Sequence, residues 1–146
     1  KVGDIMRAGN RNAVAPENLS VKEALLVMTR AKSGSLSVVN SRGKLVGVFT
    51  DGDFRRHMGS VVATPSSQKR TATGRRRHFV SDENLLSQPL KKVMTRNPIC
   101  ISENALAIEA LKIFNERNID DLIVVNSKNE PVGLIDSQDL PKLKMV

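Results

Sequence analysis

The sequence predicts an α+β fold of two β-α-β-β-α repeats packed around a pseudo-twofold axis. Three observations carry that expectation. The chain matches itself without gaps at an offset of 86 residues, 17–54 onto 103–140, with thirteen identities in 38 positions. A fixed period of this kind marks a repeated supersecondary unit. Each half places one helical apolar face ahead of two short runs rich in β-branched residues. Finally, 40% of the 146 residues are hydrophobic, yet only four are Phe and none is Trp or Tyr, a mixture suited to thin layers of sheet and helix.

The elements follow in order. A first β-like run is expected near 13–15. Val21, Ala24, Leu25 and Met28 then fall at i, i+3, i+4 and i+7 and make one face of a helix. Asn18 or Ser20 can cap it, with Glu23 completing a capping box from Ser20. Strands are predicted over 36–40 and 45–49, joined by Ser41-Arg42-Gly43-Lys44, which has the composition of a tight turn. A second helix is expected from about Thr50. The other half repeats the plan: a β-like run at 99–101, a helix face of Ala107, Ala110, Leu111 and Phe114, and strands over 122–126 and 131–135. Ser127-Lys128-Asn129-Glu130 joins those strands, and a helix is expected from about Asp136. One repeat alone buries only part of its sheet, so the two should pack together and leave a cleft between them. The expected division is repeat 1 over 1–58, an inserted loop over 59–79 and repeat 2 over 80–146.

The formal charge of +8 is uneven: +3 over 1–54, +7 over 55–92 and −2 over 93–146. The excess sits in a basic, small-residue segment at 68–78, and Arg55-Arg56-His57-Met58 recurs as Arg76-Arg77-His78-Phe79, as an insertion would produce. Three readings of it stand, in this order: a solvated linker, phosphate capture over the cleft, and nucleic-acid binding. The last is disfavoured because no aromatic residues interleave for stacking.

Other chemistries find little support. No apolar run reaches the ~20 residues that a bilayer needs, and the first residues lack a signal-peptide core, which leads to a cytoplasmic expectation with no membrane partner. Cys100 stands alone between Ile99 and Ile101 and reads as a strand residue. His57 and His78 lack Cys or clustered carboxylates at ligand spacing, so no metal is expected. Neither a Ser-His-Asp set, nor a paired-carboxylate constellation, nor a phosphate-binding Gly-Lys-Ser/Thr loop is present, so no catalytic residue is assigned.

Gly47-Val48-Phe49-Thr50-Asp51-Gly52-Asp53 fits the pattern Gly, two apolar residues, Thr or Ser, any two, then Asp. Gly3-Asp4-Ile5-Met6 and Lys91-Lys92-Val93-Met94-Thr95, with Pro16 and Pro98 downstream, look like paired opening motifs. On these residues the chain resembles a tandem pair of CBS domains over nearly its whole length, apart from roughly 59–79. The stretch from Phe49 to Arg56 is similar to the regulatory tail of bacterial arabinose 5-phosphate isomerases, which feed Kdo and lipopolysaccharide synthesis. The resemblance implies a non-catalytic regulatory fragment whose parent protein carries a sugar-isomerase domain ahead of residue 1. It implies no required cofactor, but a bound nucleotide (AMP, ADP or ATP) or CMP-Kdo in the cleft between the repeats. A second CBS pair is the implied homodimer partner, and dimerisation without ligand is the alternative role.

The resemblance also nominates a site. Thr50 at a helix start would meet phosphate, where backbone N–H groups favour anions, and Asp53 would accept hydrogen bonds from ribose hydroxyls. Arg55 and Asp139 join the set, and the base or sugar would lie against Val14, Ala15, Ile99 and Ile101. Thr50-x-x-Asp53 serves equally well as a helix capping box, and both readings stand. In the second half Asp136 occupies the Thr position, where a carboxylate repels phosphate. The two possible sites should therefore be unequal, with the better one on Thr50 and Asp53.

Overall fold

A computed structural model of the chain describes residues 1–62 and 82–140. Helix α1 (Val2–Ile5) leads to a 3-10 turn at Gly9–Arg11, then β1 (Val14–Pro16), α2 (Val21–Ala31), β2 (Ser35–Val39), β3 (Leu45–Thr50) and α3 (Asp51–Val62). The second half follows with α4 (Asp82–Ser87), α5 (Leu90–Val93), β4 (Thr95–Arg96), β5 (Cys100–Ser102), α6 (Ala107–Arg117), β6 (Asp121–Val125), β7 (Pro131–Asp136) and a 3-10 turn at Ser137–Asp139. The expected basic insert lies almost wholly outside the described residues. So does any continuation of the turn that replaces the helix expected from Asp136.

The two halves form by the same local rules. Helix α2 buries Val21, Ala24, Met28 and Ala31, and its cap is Ser20, whose hydroxyl accepts from the Glu23 N–H at 3.2 Å. In α6 Ala110 and Phe114 take the buried positions. Leu106 replaces the capping serine there, so only the return bond survives, from the Leu106 N–H to Glu109 Oε2 at 2.6 Å. Both helices stop on a left-handed residue, Lys32 at φ 55° and Asn118 at φ 53°. Each hairpin turn is held by an asparagine carbonyl: Asn40 Oδ1 accepts from the N–H groups of Arg42 and Lys44, and Asn126 Oδ1 from those of Lys128 and Glu130. The left-handed position of the turn falls to Gly43 in one half and Asn129 in the other, residue types that tolerate it.

Among the described residues the strands form two mixed sheets, ordered β1-β2-β3-β4 and β5-β6-β7. β1 runs parallel to β2 and β5 to β6, while β2–β3 and β6–β7 are antiparallel hairpins with a register shift at equivalent places, Val38/Val39 and Val124/Val125. The opening segments cross over. The N–H groups of Val2 and Gly3 donate to the carbonyls of Ala105 and Glu103, and Arg7 bridges Leu134, so residues 2–7 complete the second half. Reciprocally, Leu90 and Lys91 donate to the carbonyls of Leu19 and Glu17, and β4 adds to the edge of β3. An offset of 88 relates the two opening segments and one of 86 their partners, and the contacts need glycine: a Cβ on Gly47 would stand 3.0 Å from the Thr95 carbonyl oxygen, and one on Gly133 2.9 Å from that of Arg7.

Each half has its own core, one around Leu36, Val38, Phe49 and Leu90, the other around Val2, Leu122, Val124 and Ile135. A third cluster of Leu45, Ile123, Val125 and Leu134, with Val48 and Cys100 against it, joins the sheets and forms the floor of the space between the halves. No described helix is long and apolar enough to cross a membrane.

Candidate functional site

The sharp passage from β3 into α3 creates the most densely bonded polar corner. Asp53, in the first turn of α3, is only 4% exposed. Its Oδ2 accepts from the Thr50 N–H at 2.9 Å and the Thr50 hydroxyl at 3.2 Å, while its own N–H donates to Thr50 Oγ1 at 3.0 Å. That is a full reciprocal capping box. The other oxygen, Oδ1, accepts from the Thr95 hydroxyl at 2.9 Å, delivered on β4 by the crossed-over opening segment, and pairs with the Arg56 guanidinium.

On the pseudo-twofold axis, the offset of 86 maps Ser35 onto Asp121. These two residues bond to one another, the buried Ser35 hydroxyl donating to Asp121 Oδ2. Burial pushes the Asp121 carboxyl above the usual aspartate range; the Ser35 bond and Arg7 pull it back, while Asp136 and Asp120 push it further up.

Between the halves lies a cavity of about 670 Å³. Val48, Ile123 and Leu134 give it an apolar floor. One wall is the start of α3, with Thr50, Gly52, Arg55 and Arg56. Facing it are Asn97, Pro98 and Ile99, together with 118–121 at the start of β6. A volume of this size suits a ligand of nucleotide dimensions, since ligand pockets span about 300–1,000 Å³. Apolar floor, hydroxyl and amide edges and two guanidinium groups together offer a flat ring a surface and an anion a counter-charge.

The cavity therefore gathers Thr50, Arg55 and Ile99 from the sequence expectation. Asp53 lies behind Thr50, with its carboxylate fully engaged in the corner. Ala15 and Ile101 are buried in the cores of their own halves, and Val14 is half-buried on β1. Asp139 sits at the mirror corner, where it accepts from the Asp136 N–H at 3.0 Å and from Arg7. At the Thr50 corner three N–H groups already have acceptors: Thr50 and Asp53 within the box, and Asp51 on the Gly34 carbonyl at 3.0 Å. Arg55 and Arg56 are thus the stronger anion-facing groups.

Sequence reasoning missed Arg56, Thr95, Asn97 and the Ser35–Asp121 pair. The repeat offset held the signal for that pair, because it aligns a serine with an aspartate at the foot of equivalent strands.

The sequence profile of the CBS domain matches residues 2–60 and 90–143. The arabinose 5-phosphate isomerase KdsD of Pseudomonas aeruginosa is 31% identical over 140 residues, 96% of this chain and 36% of that protein. KdsD of Francisella tularensis is 28% identical over 145 residues, 99% of this chain and 38% of its own length. The chain thus spans little more than a third of the curated isomerases it matches. Among solved structures, the CBS-pair protein CBSX2 of Arabidopsis thaliana in complex with AMP has a TM-score of 0.72 at 20% identity, covering 99% of this chain and 95% of that one. The CBS domain pair of protein MJ0100, in complex with 5′-methylthioadenosine and S-adenosyl-L-methionine, has a TM-score of 0.68 at 22% identity and covers 99% and 94%. Both share the architecture.

Proposed function

Because this chain belongs to the CBS domain family, whose profile covers both of its repeats, we propose that it is a regulatory pair taking a nucleotide or nucleotide-sugar in the cleft between them. The observation that carries this reading is the cavity of about 670 Å³, apolar below and flanked by Thr50, Arg55 and Arg56. A base or nucleoside lies on Val48, Ile123 and Leu134, and a phosphate faces the guanidinium groups. The domain limits 1–58, 59–79 and 80–146 are proposed on the same footing. Adenine nucleotides lead the candidate ligands through the AMP of CBSX2 and the adenosyl compounds of MJ0100. CMP-Kdo follows from the likeness to KdsD. On that likeness the pair adjusts a sugar-phosphate isomerase in the cytoplasm.

A thermal-shift panel of AMP, ADP, ATP, CMP and CMP-Kdo tests the proposal. A ligand at 100 times its dissociation constant adds about 2.7 kcal/mol of stability, a shift of several degrees. Arg55→Ala, an exposed substitution on the cavity wall, should weaken the shift and leave the unliganded melting temperature in place. No shift with any compound would overturn the reading.

A second reading, an assembly module that pairs with another copy, draws on exposed apolar residues at the start of α6, Leu106 at 57% and Ile108 at 68%. It predicts a dimer by sedimentation that Ile108→Glu dissociates, with no response to nucleotides.

A further inference from the structure

We infer that the cleft has one open ligand corner and one plugged corner, and that the plug is Arg7 of this chain. The inference rests on the nucleotide reading for the identity of its probe. The mirror corner follows the same plan up to the aspartate, after which a 3-10 turn at Ser137–Asp139 stands where the Thr50 corner has α3. The offset of 86 carries Thr50 and Asp53 onto Asp136 and Asp139, and the offset of 88 carries Thr95 onto Arg7. Both opening segments pair with the same strand position, Thr95 with Val48 and Arg7 with Leu134. Both aspartates accept the backbone N–H three residues earlier.

The side chains differ where a ligand would enter. Thr95 reaches Asp53 with a short, neutral hydroxyl, and the guanidinium that pairs with Asp53, that of Arg56, comes from α3 on the cavity wall and is 68% exposed. Arg7 extends a guanidinium onto Asp139 as a fork, Nε to Oδ2 and Nη2 to Oδ1, each at 3.2 Å, and stands 3.7 Å from Asp136 Oδ2. All three are shielded, with side-chain exposures of 22% for Arg7, 18% for Asp139 and 26% for Asp136. The guanidinium neutralises both carboxylates in the space that at the other corner belongs to the cavity. A phosphate arriving there would have to displace two carboxylates from one cation and would remain beside them.

Chain length adds to the closure. Asn97 and Gly9 are equivalent left-handed residues. From Asn97 the chain runs directly through Pro98 and Ile99 along the cavity wall, whereas the first half has two extra residues there. They fold into the 3-10 turn Gly9–Arg11, which packs against β7 and α2. Just after it, the Asn12 side-chain amide donates to the Pro131 carbonyl at 3.4 Å.

Calorimetric titration of the chain with AMP tests the plug, alongside Arg7→Thr/Asp136→Thr, which places counterparts of the open corner's Thr95 and Thr50 in the mirror one. The unmodified chain should bind one AMP and the double variant two. Two sites in the unmodified chain, or no gained site in a variant that melts cooperatively, would overturn the plug. A failure of the nucleotide reading is distinct: the unmodified chain then binds no AMP, while a site gained by the variant still upholds the plug. If the double variant does not fold, Arg7→Thr/Asp136→Asn, whose amide oxygen can still accept from the Gln138 N–H without a carboxylate's charge, decides by the same count.

Discussion

At the Thr50 corner a hydroxyl from β4 meets a buried aspartate, and the space beyond it is open. At the mirror corner a guanidinium meets two carboxylates. The backbones agree in the left-handed residues, turn asparagines and strand bulges, so among the described residues the difference comes from a handful of side chains, two additional residues and a 3-10 turn where the Thr50 corner has α3. A duplicated fold can keep its scaffold symmetric, because packing and hydrogen bonding constrain every backbone position, while its clefts diverge. One substitution such as Arg for Thr alters charge and volume locally without disturbing the sheet.

The largest expected effect breaks the corners unequally. Asp53→Ala leaves donors from Thr50, Thr95 and Arg56 without their acceptor in a nearly buried position, and urea unfolding should record a loss of about 2–3 kcal/mol. Asp139→Ala, at a less deeply buried position of 18% exposure, should cost about 1–2 kcal/mol. Equal losses would mean that the corners are not energetically distinct.

The axis between the corners comes next. Burial holds the Asp121 carboxyl above its ordinary value, so the folded state favours its protonated form. That contribution is full below the unfolded value of about 4 and is lost as pH rises through the folded one. Asp121→Asn keeps an acceptor for Ser35 and removes the charge. At pH 7 it should melt above the unmodified chain, and the gap should close as pH falls towards 4.

The smallest effect concerns the helix ends. Lys32 is left-handed where its counterpart is Asn118. Lys32→Gly should add about 0.5–1 kcal/mol, because glycine removes the Cβ penalty at some cost in chain entropy. Asn118→Gly should add less.

Much of this plan was legible in the sequence. The repeat offset predicted both hairpins and the helix ahead of each, and the Thr50-x-x-Asp53 spacing offered a capping box as one of two readings, because strand alternation, helical spacing and capping are local patterns. The crossed-over opening segments were not legible: nothing in the spacing of Val2 or Leu90 says which half each will bury against. Nor does the spacing show that Ala15 and Ile101, expected against a ligand, are buried in the cores of their own halves. Arg7 gave no signal, since a lone arginine in a sequence reads as a surface residue until its fork onto Asp139 is seen.

An amide NMR titration of the chain with AMP tests the central claim most directly. The account predicts shifts concentrated on Thr50, Gly52, Arg55, Asn97 and Ile119, with Arg7, Asp136 and Asp139 unmoved at saturation. Shifts centred on Arg7 and Asp139, or none at either corner, would contradict it.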